Sequence, residues 1–152
     1  MDLGSIPALL SLGRNPSALG GAKEIAGTIV NRNPTNFHNC CAATLSCLLD
    51  FAGINVGVRP EVLDLAPHLE HDRRWSRIRI GDPIQDGDVG VFIASDGSDL
   101  HHIYLVIDSA DQDSPLISDN QGAGSHRRPV AGGVMPGVSN VASPTTYFLR
   151  AS

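Results

Sequence analysis

The sequence predicts a single α+β domain in which helices come first and an antiparallel sheet follows. Hydrophobic residues in the first half recur at the three- to four-residue spacing of helices, whereas those after residue 86 alternate with the two-residue spacing of strands. Helices and strands that segregate in this way are typical of α+β proteins. The length of 152 residues suits one hydrophobic core. We therefore expect residues 1–152 to form one domain, with residues 1–35 as an N-terminal helical extension.

The first half of the chain carries three predicted helices. The first covers residues 22–30, and the polar run 31–36 breaks it. The second starts just after that break and ends at Gly53, a residue suited to the left-handed position that closes helices. The third covers residues 59–72, with Pro60 early and leucines at helical spacing. Residues 75–80 alternate enough to form a strand or an extended arm.

The second half predicts an antiparallel sheet. Residues 89–93 and 101–107 are apolar, and the turn-forming residues around Asp96-Gly97 lie between them, which indicates a hairpin. Residues 116–120 form a third strand and residues 145–150 a closing strand. The Gly-, Pro- and Ser-rich stretch 121–144 is expected to be irregular.

Composition excludes several classes of function. With 16 acidic against 11 basic residues the formal net charge is −5, which argues against a nucleic-acid partner. The arginines of residues 73–79 are interpreted as a solvated, ion-paired segment, because Glu70 and Asp72 lie beside them. The N-terminal apolar run is interrupted by Pro7 and Gly13, so neither a signal peptide nor a membrane span is expected.

Cys41 is the residue that points to chemistry. The break at 31–36 places this thiol in the expected first turn of a helix, where unpaired N–H groups and the helix dipole favour the thiolate. At 100° per residue, Cys41 shares one apolar stripe with Leu45, Leu48 and Ala52. His101 and His102 open a strand about sixty residues later, and an imidazole can complete the activation of a thiol.

These features together resemble the papain-like NlpC and CHAP cysteine amidases. The family's nucleophile motif is similar to Cys41-Ala42-Ala43-Thr44-Leu45 through Ala52-Gly53-Ile54, its Gly-Asp element to Asp86-Gly87-Asp88-Val89-Gly90-Val91-Phe92, and its histidine strand to His102-Ile103-Tyr104-Leu105. Residues 39–46 are also similar to a signature of type VI secretion amidase effectors. The chain departs from the family at Tyr104, where a Gly or Ala is usual.

The resemblance implies a papain-like fold and a cysteine hydrolase. Cys41 is then the nucleophile, His102 the general base and acid, and Asp119 the residue that orients the imidazole. His101 remains an alternative to His102, since strand alternation lets only one of the two face the helix. Asn120 or Gln121 can replace Asp119, and the two also belong, with Asn39, to the expected substrate and oxyanion set. No cofactor or metal is expected.

The same resemblance suggests the substrate and the partners. We expect amide bonds of peptidoglycan stem peptides to be cleaved by an antibacterial effector or a phage-type lysin, with a cognate immunity protein as a possible partner. Synthesis in the cytoplasm and action after export or delivery to a target's periplasm or wall follow from that reading. The sequence leaves the oligomeric state open.

Three other interpretations compete. Papain-like relatives include proteases, deamidases and acyltransferases, so the substrate can be a protein or another non-wall molecule. A zinc site is a second interpretation, because six histidines and three cysteines offer ligands, although their spacing is loose. The third is a catalytically inactive binding module.

Overall fold

The computed structural model describes residues 1–30 and 37–152, and of residues 37–39 the backbone alone. A 3₁₀ turn at Asp2–Ser5 opens the chain, and a π-helical turn at His68–Asp72 follows the last helix. The α-helices are α1 (Ile6–Arg14), α2 (Pro16–Val30), α3 (Phe37–Phe51) and α4 (Val62–Pro67). The strands are β1 (Ser76–Arg79), β2 (Val89–Phe92), β3 (His102–Asp108), β4 (Leu116–Ser118), β5 (His126–Arg127), β6 (Gly133–Val134), β7 (Val141–Ala142) and β8 (Tyr147–Arg150).

Six strands form one antiparallel sheet in the order β1-β8-β2-β3-β4-β5. The predicted hairpin is confirmed, with Val89 opposite Leu105 and Phe92 opposite His102. Strands β6 and β7 pair as a separate ribbon. The α+β class and the antiparallel sheet are therefore confirmed.

The expectation that residues 121–144 are irregular was right for most of the stretch and wrong for three short strands within it. This stretch contains β5, which extends the main sheet at β4, and both strands of the ribbon. Each of these strands is only two residues long, too short for a two-residue period to appear in the sequence.

The N-terminal segment contains more helix than expected, because α1 lies where no helix was predicted and α2 begins before the predicted start at residue 22. Helix α2 begins at Pro16, where the side chain of Asn15 accepts hydrogen bonds from the N–H groups of Ser17 and Ala18 and so caps the helix. Leu9 of α1 and Leu19 of α2 are fully buried in the same core as α3. Packing therefore overrides the low helix propensity of the glycines in α2, and the N-terminal segment is part of the core.

Helix α3 is the centre of that core. Every described side chain from residue 40 to residue 49 is buried. The helix ends as predicted, with Gly53 at a φ of 87° and the N–H of Ile54 donating to the carbonyl of Leu49. A helix that is buried on all sides has a broadly apolar sequence instead of one apolar and one polar face. The apolar stripe through Cys41 therefore indicated only part of the surface that α3 buries.

The two faces of the sheet bury different clusters. The face toward α3 contributes Ile103, Leu105 and Ile107 to the large core. The opposite face contributes Tyr104 and Val106 to a smaller cluster. Within the described ranges, no helix combines the length and apolar character needed to cross a membrane.

Candidate active site

Cys41 lies in the second turn of α3, one turn later than expected. The helix already includes Phe37, so Cys41 is its fifth residue and the backbone N–H of Cys41 falls within the helix's own bonding pattern. The helix dipole acts mainly within the first turn. The expected stabilisation of a thiolate by a helix N-terminus is therefore weaker than the sequence suggested.

The Cys41 sulfur lies against the backbone groups that flank His102 at the start of β3. Its S–H points to the carbonyl of His101 at 4.0 Å, and the N–H of Ile103 donates toward the sulfur. The backbone N–H and C=O groups of even-numbered residues in β3 point toward β2, as the bond from the Val106 N–H to the Asp88 carbonyl shows. The backbone groups of odd-numbered residues therefore point toward β4. Strand β4 ends at Ser118, which is paired in register with Leu105. The sulfur thus lies at the edge of β3 beyond the end of β4, near enough to Asp119 for that charge to act on the thiol, and we call this position the β3–β4 notch.

The resting thiol is protonated. Only 3% of Cys41 is exposed, and this burial raises the pKa of the thiol to about 12; the charge of Asp119 adds to the increase. Backbone N–H groups of Ile103 and Ala42 oppose it without reversing it. Among the described residues, no hydrogen bond joins this sulfur to an imidazole.

His102 and Asp119 form a buried pair. His102 Nε2 lies 2.8 Å from Asp119 Oδ2, and both residues are at most 5% exposed. Burial lowers the pKa of His102, and the charge of Arg128 lowers it further, although Asp119 opposes both. Burial alone would raise the pKa of Asp119, but the bond from His102 and the nearby positive charges hold it below its ordinary value. The pair at neutral pH is a neutral imidazole donating from Nε2 to a carboxylate, which leaves Nδ1 with a lone pair.

Asp119 has further partners on its other oxygen. The backbone N–H of Gln121 donates to Oδ1 at 2.8 Å, and His126 Nε2 lies 3.6 Å from the same atom. His126 and Arg128 were not predicted to lie near Asp119. Both belong to the run Ser125-His126-Arg127-Arg128 inside the stretch expected to be irregular, where no periodic pattern shows which side chains face inward.

His102 projects from the strand face opposite α3. It shares that face with Tyr104, whose ring is stacked with the imidazole at a centroid distance of 6.2 Å. The prediction that His102 faces the helix is therefore wrong, because the odd-numbered side chains of β3 pack against α3. Tyr104 is accommodated by Gly90 on β2: a Cβ at Gly90 would lie 2.1 Å from the tyrosine ring.

His101 lies just before β3 and is committed elsewhere. Its Nδ1 accepts a hydrogen bond from the Ala94 N–H at 2.9 Å, across the hairpin loop. Among the described residues it makes no contact with a carboxylate within ion-pair distance. Of the two histidines, His102 is the one that the structure joins to Asp119.

The expected oxyanion residues differ in their surroundings. Asn120 is fully buried, and neither end of its amide has a hydrogen-bond partner among the described residues. The Gln121 side chain is already engaged, since its Oε1 accepts from Arg128 at 3.2 Å. The side chain of Asn39 lies outside the described residues.

Across residues 1–30 and 37–152, no group of three or more His, Cys, Asp and Glu side chains is arranged to hold a metal ion. His68, which the zinc interpretation used, instead lies 2.7 Å from Asp72.

Comparisons of this chain with protein-family models, with curated proteins and with solved structures found no match.

Proposed function

We propose that this protein is a papain-like cysteine hydrolase of amide bonds, with Cys41 as nucleophile, His102 as general base and acid, and Asp119 as the residue that orients the imidazole. Its proposed substrates are amide bonds in peptidoglycan stem peptides. One observation supports the proposal: the Cys41 sulfur lies against the backbone on both sides of His102, and the imidazole of His102 is paired with the carboxylate of Asp119.

The hydrogen bond between His102 and Asp119 leaves one ring nitrogen of His102 for proton transfer. Because Nε2 donates to the carboxylate, Nδ1 is the ring nitrogen available to take the thiol proton. The thiol of Cys41 and the imidazole of His102 are both neutral before substrate binds, because the pKa of the thiol is raised and that of the imidazole is lowered. Attack is therefore expected to proceed by general-base catalysis rather than from a preformed thiolate.

The proposed reaction has two halves. The Cys41 sulfur bonds to the amide carbonyl carbon as its proton passes to His102 Nδ1; the C–N bond then breaks and the leaving amine takes that proton. Water next attacks the thioester and gives a proton to His102. The C–S bond breaks, and that proton returns to the sulfur as the carboxylic acid leaves.

Asn120 is the proposed oxyanion donor. Its buried Nδ2 has no hydrogen-bond partner among the described residues, and a buried unpartnered donor is costly unless a bound group satisfies it. The backbone N–H of Cys41 is a weaker candidate because it lies inside the helix. Asn120→Leu is expected to lower kcat about a hundredfold with a smaller change in KM.

The deciding experiment is digestion of purified peptidoglycan, read by mass spectrometry of the released muropeptides. We expect wild type to release amide-cleaved products, Cys41→Ala to lose at least about a thousandfold in rate, and Cys47→Ala, in the same helix, to retain activity. Equal release by wild type and Cys41→Ala would contradict the thiol mechanism. Cys41-dependent cleavage of protein amides with intact peptidoglycan would keep the chemistry and reject the wall substrate.

The choice of histidine is tested in the same assay. His102→Ala is expected to lose about a thousandfold in kcat/KM, whereas His101→Ala, which removes only the acceptor for the Ala94 N–H, is expected to lose less than tenfold. The reverse order would move the base to His101.

An antibacterial role requires delivery to a target and protection of the producer. We propose that the protein acts in the periplasm or wall of a target cell and that a cognate immunity protein covers the β3–β4 notch. Toxicity of periplasm-directed wild type, absent in Cys41→Ala, is the expected result. Harmless wild type in that compartment would reject the effector role.

A further inference from the structure

Arg128 is a buried guanidinium without a carboxylate in direct contact. It is 1% exposed, and no ion pair among the described residues includes it. A buried charge is costly unless other groups compensate it. The position therefore calls for an explanation beyond packing.

The contacts of Arg128 connect the β4–β5 turn to the rest of the domain. Nη1 donates to Gln121 Oε1 at 3.2 Å, and Nη2 donates to the carbonyl of Ser143 at 3.2 Å. The guanidinium carbon lies 4.9 Å from the centroid of the Tyr104 ring, within cation–π range. One planar side chain thus holds a turn, a distant loop and the aromatic ring next to His102.

The same contacts lead in two steps to the His102–Asp119 pair. Arg128 holds the side chain of Gln121, and the backbone N–H of Gln121 donates to Asp119 Oδ1. This bond leaves Oδ2 directed at His102 Nε2. A change in the Gln121 turn would therefore rotate the carboxylate that fixes the imidazole.

We propose that Arg128 is a positioning residue for the His102–Asp119 pair, acting through Gln121 and the ring of Tyr104. This inference rests on the proposed function for its kinetic test, but its structural test does not. The charged or titratable groups around His102 are Asp119, His126, Arg128, Tyr104 and, at the notch, Cys41. Arg128 is the permanent cation among them, so its charge also disfavours protonation of His102.

The test compares Arg128→Met, Arg128→Lys and the matched control Arg127→Met, a change at the exposed neighbour in β5. NMR follows the titration of the His102 ring, whose signals are assigned with His102→Gln. The titration midpoint is expected to move to higher pH in Arg128→Met, to stay near that of wild type in Arg128→Lys, and to be unchanged in Arg127→Met. We expect kcat/KM to fall about tenfold in Arg128→Met and to recover in part with lysine.

Several outcomes would overturn the proposal. An unchanged His102 titration in folded Arg128→Met would show that Arg128 only packs, and a shifted titration with unaltered kcat/KM would show that it acts by its charge alone; either result rejects the positioning role. If Arg128→Met does not fold, Gln121→Leu decides, because it keeps the guanidinium and removes its bond to the turn: unaltered kcat/KM and His102 titration would reject the proposal. If wild type proves inactive, the titrations still test Arg128, so the two failures are distinguishable.

Discussion

The two faces of the sheet differ in the polar side chains that they bury. The face toward α3 is apolar, with Ile103, Leu105 and Ile107 packed in the core that includes Cys41. The opposite face buries His102, Asp119 and Arg128 beside Tyr104. Apolar burial is favourable at about 25 cal/mol per Å², whereas each buried polar group needs a partner to avoid a penalty. The first face therefore contributes mainly to stability and also carries the Cys41 thiol, whereas the second adds a smaller apolar cluster and the imidazole and carboxylate of the candidate site.

The β3–β4 notch is where the two faces meet. The thiol belongs by packing to the apolar side, and its surroundings keep it protonated. The imidazole and carboxylate belong to the polar side, where hydrogen bonds fix their orientation. A substitution on one face should accordingly affect mainly stability, and one on the other mainly activity.

The largest expected effect comes from the polar face. Asp119→Asn removes the carboxylate that holds His102 and leaves Arg128 without a nearby anion, so we expect kcat to fall about a thousandfold or more. Kinetics on the peptidoglycan substrate measure this, with Asp113→Asn at an exposed site as the control. Activity within tenfold of wild type would break the assignment of chemistry to this face.

Apart from Cys41, the apolar face should respond in stability alone. Leu48 is 1% exposed, and Leu48→Ala is expected to lower the free energy of unfolding by about 2–5 kcal/mol. Leu63→Ala, at a 57% exposed site, should cost less than about 1 kcal/mol. Urea unfolding gives both values. A thousandfold loss of kcat in folded Leu48→Ala would show that the two faces are not separable.

A substitution at Gly90 tests the packing of β2 against the Tyr104 ring on the polar face. A Cβ there would lie 2.1 Å from the Tyr104 ring, so Gly90→Ala must displace the ring beside His102 and should cost about 1–3 kcal/mol. Gly20 in α2 has nothing within 4 Å of an added Cβ, and Gly20→Ala is expected to stabilise by about 0.5–1 kcal/mol. Thermal unfolding compares the pair; equal changes would mean that Tyr104 is loosely held.

The smallest expected effect is the pH dependence of stability, in which the faces set opposite limits. Because the pKa of Cys41 is raised from 9.0 to about 12, the unfolded chain loses this proton first, and stability falls as pH rises above 9, by up to about 1.4 kcal/mol per pH unit. Because the pKa of His102 is lowered from 6.5, the unfolded chain binds this proton first, and stability falls as pH drops below 6.5.

Urea unfolding across pH 5–10 separates these two arms. Cys41→Ala should flatten the alkaline arm, apart from the share of Cys47, whose pKa is also raised, and should leave the acid arm in place. His102→Gln should do the opposite. A Cys41→Ala profile that parallels wild type above pH 9 would mean that the thiol is less buried than the structure has it.

Much of the fold could be predicted from local pattern. The hairpin of β2 and β3, the closing strand and the end of α3 at Gly53 all follow from periodicity and turn chemistry, which act over a few residues. The short strand β5 and the long helix α2 could not be predicted in the same way. Their stability comes from contacts with distant segments, and those leave little local trace.

The sequence by itself determined an α+β chain with a thiol, two histidines and a carboxylate in an order that suits thiol chemistry. Only the tertiary structure decided that Asp119 pairs with His102 rather than His101, that Arg128 and His126 join them, and that the thiol is buried. The physical reason is that periodicity reports which face of an element is apolar. Which polar groups meet across two strands depends on register, on the turn between them and on desolvation, and these arise when the sheet assembles.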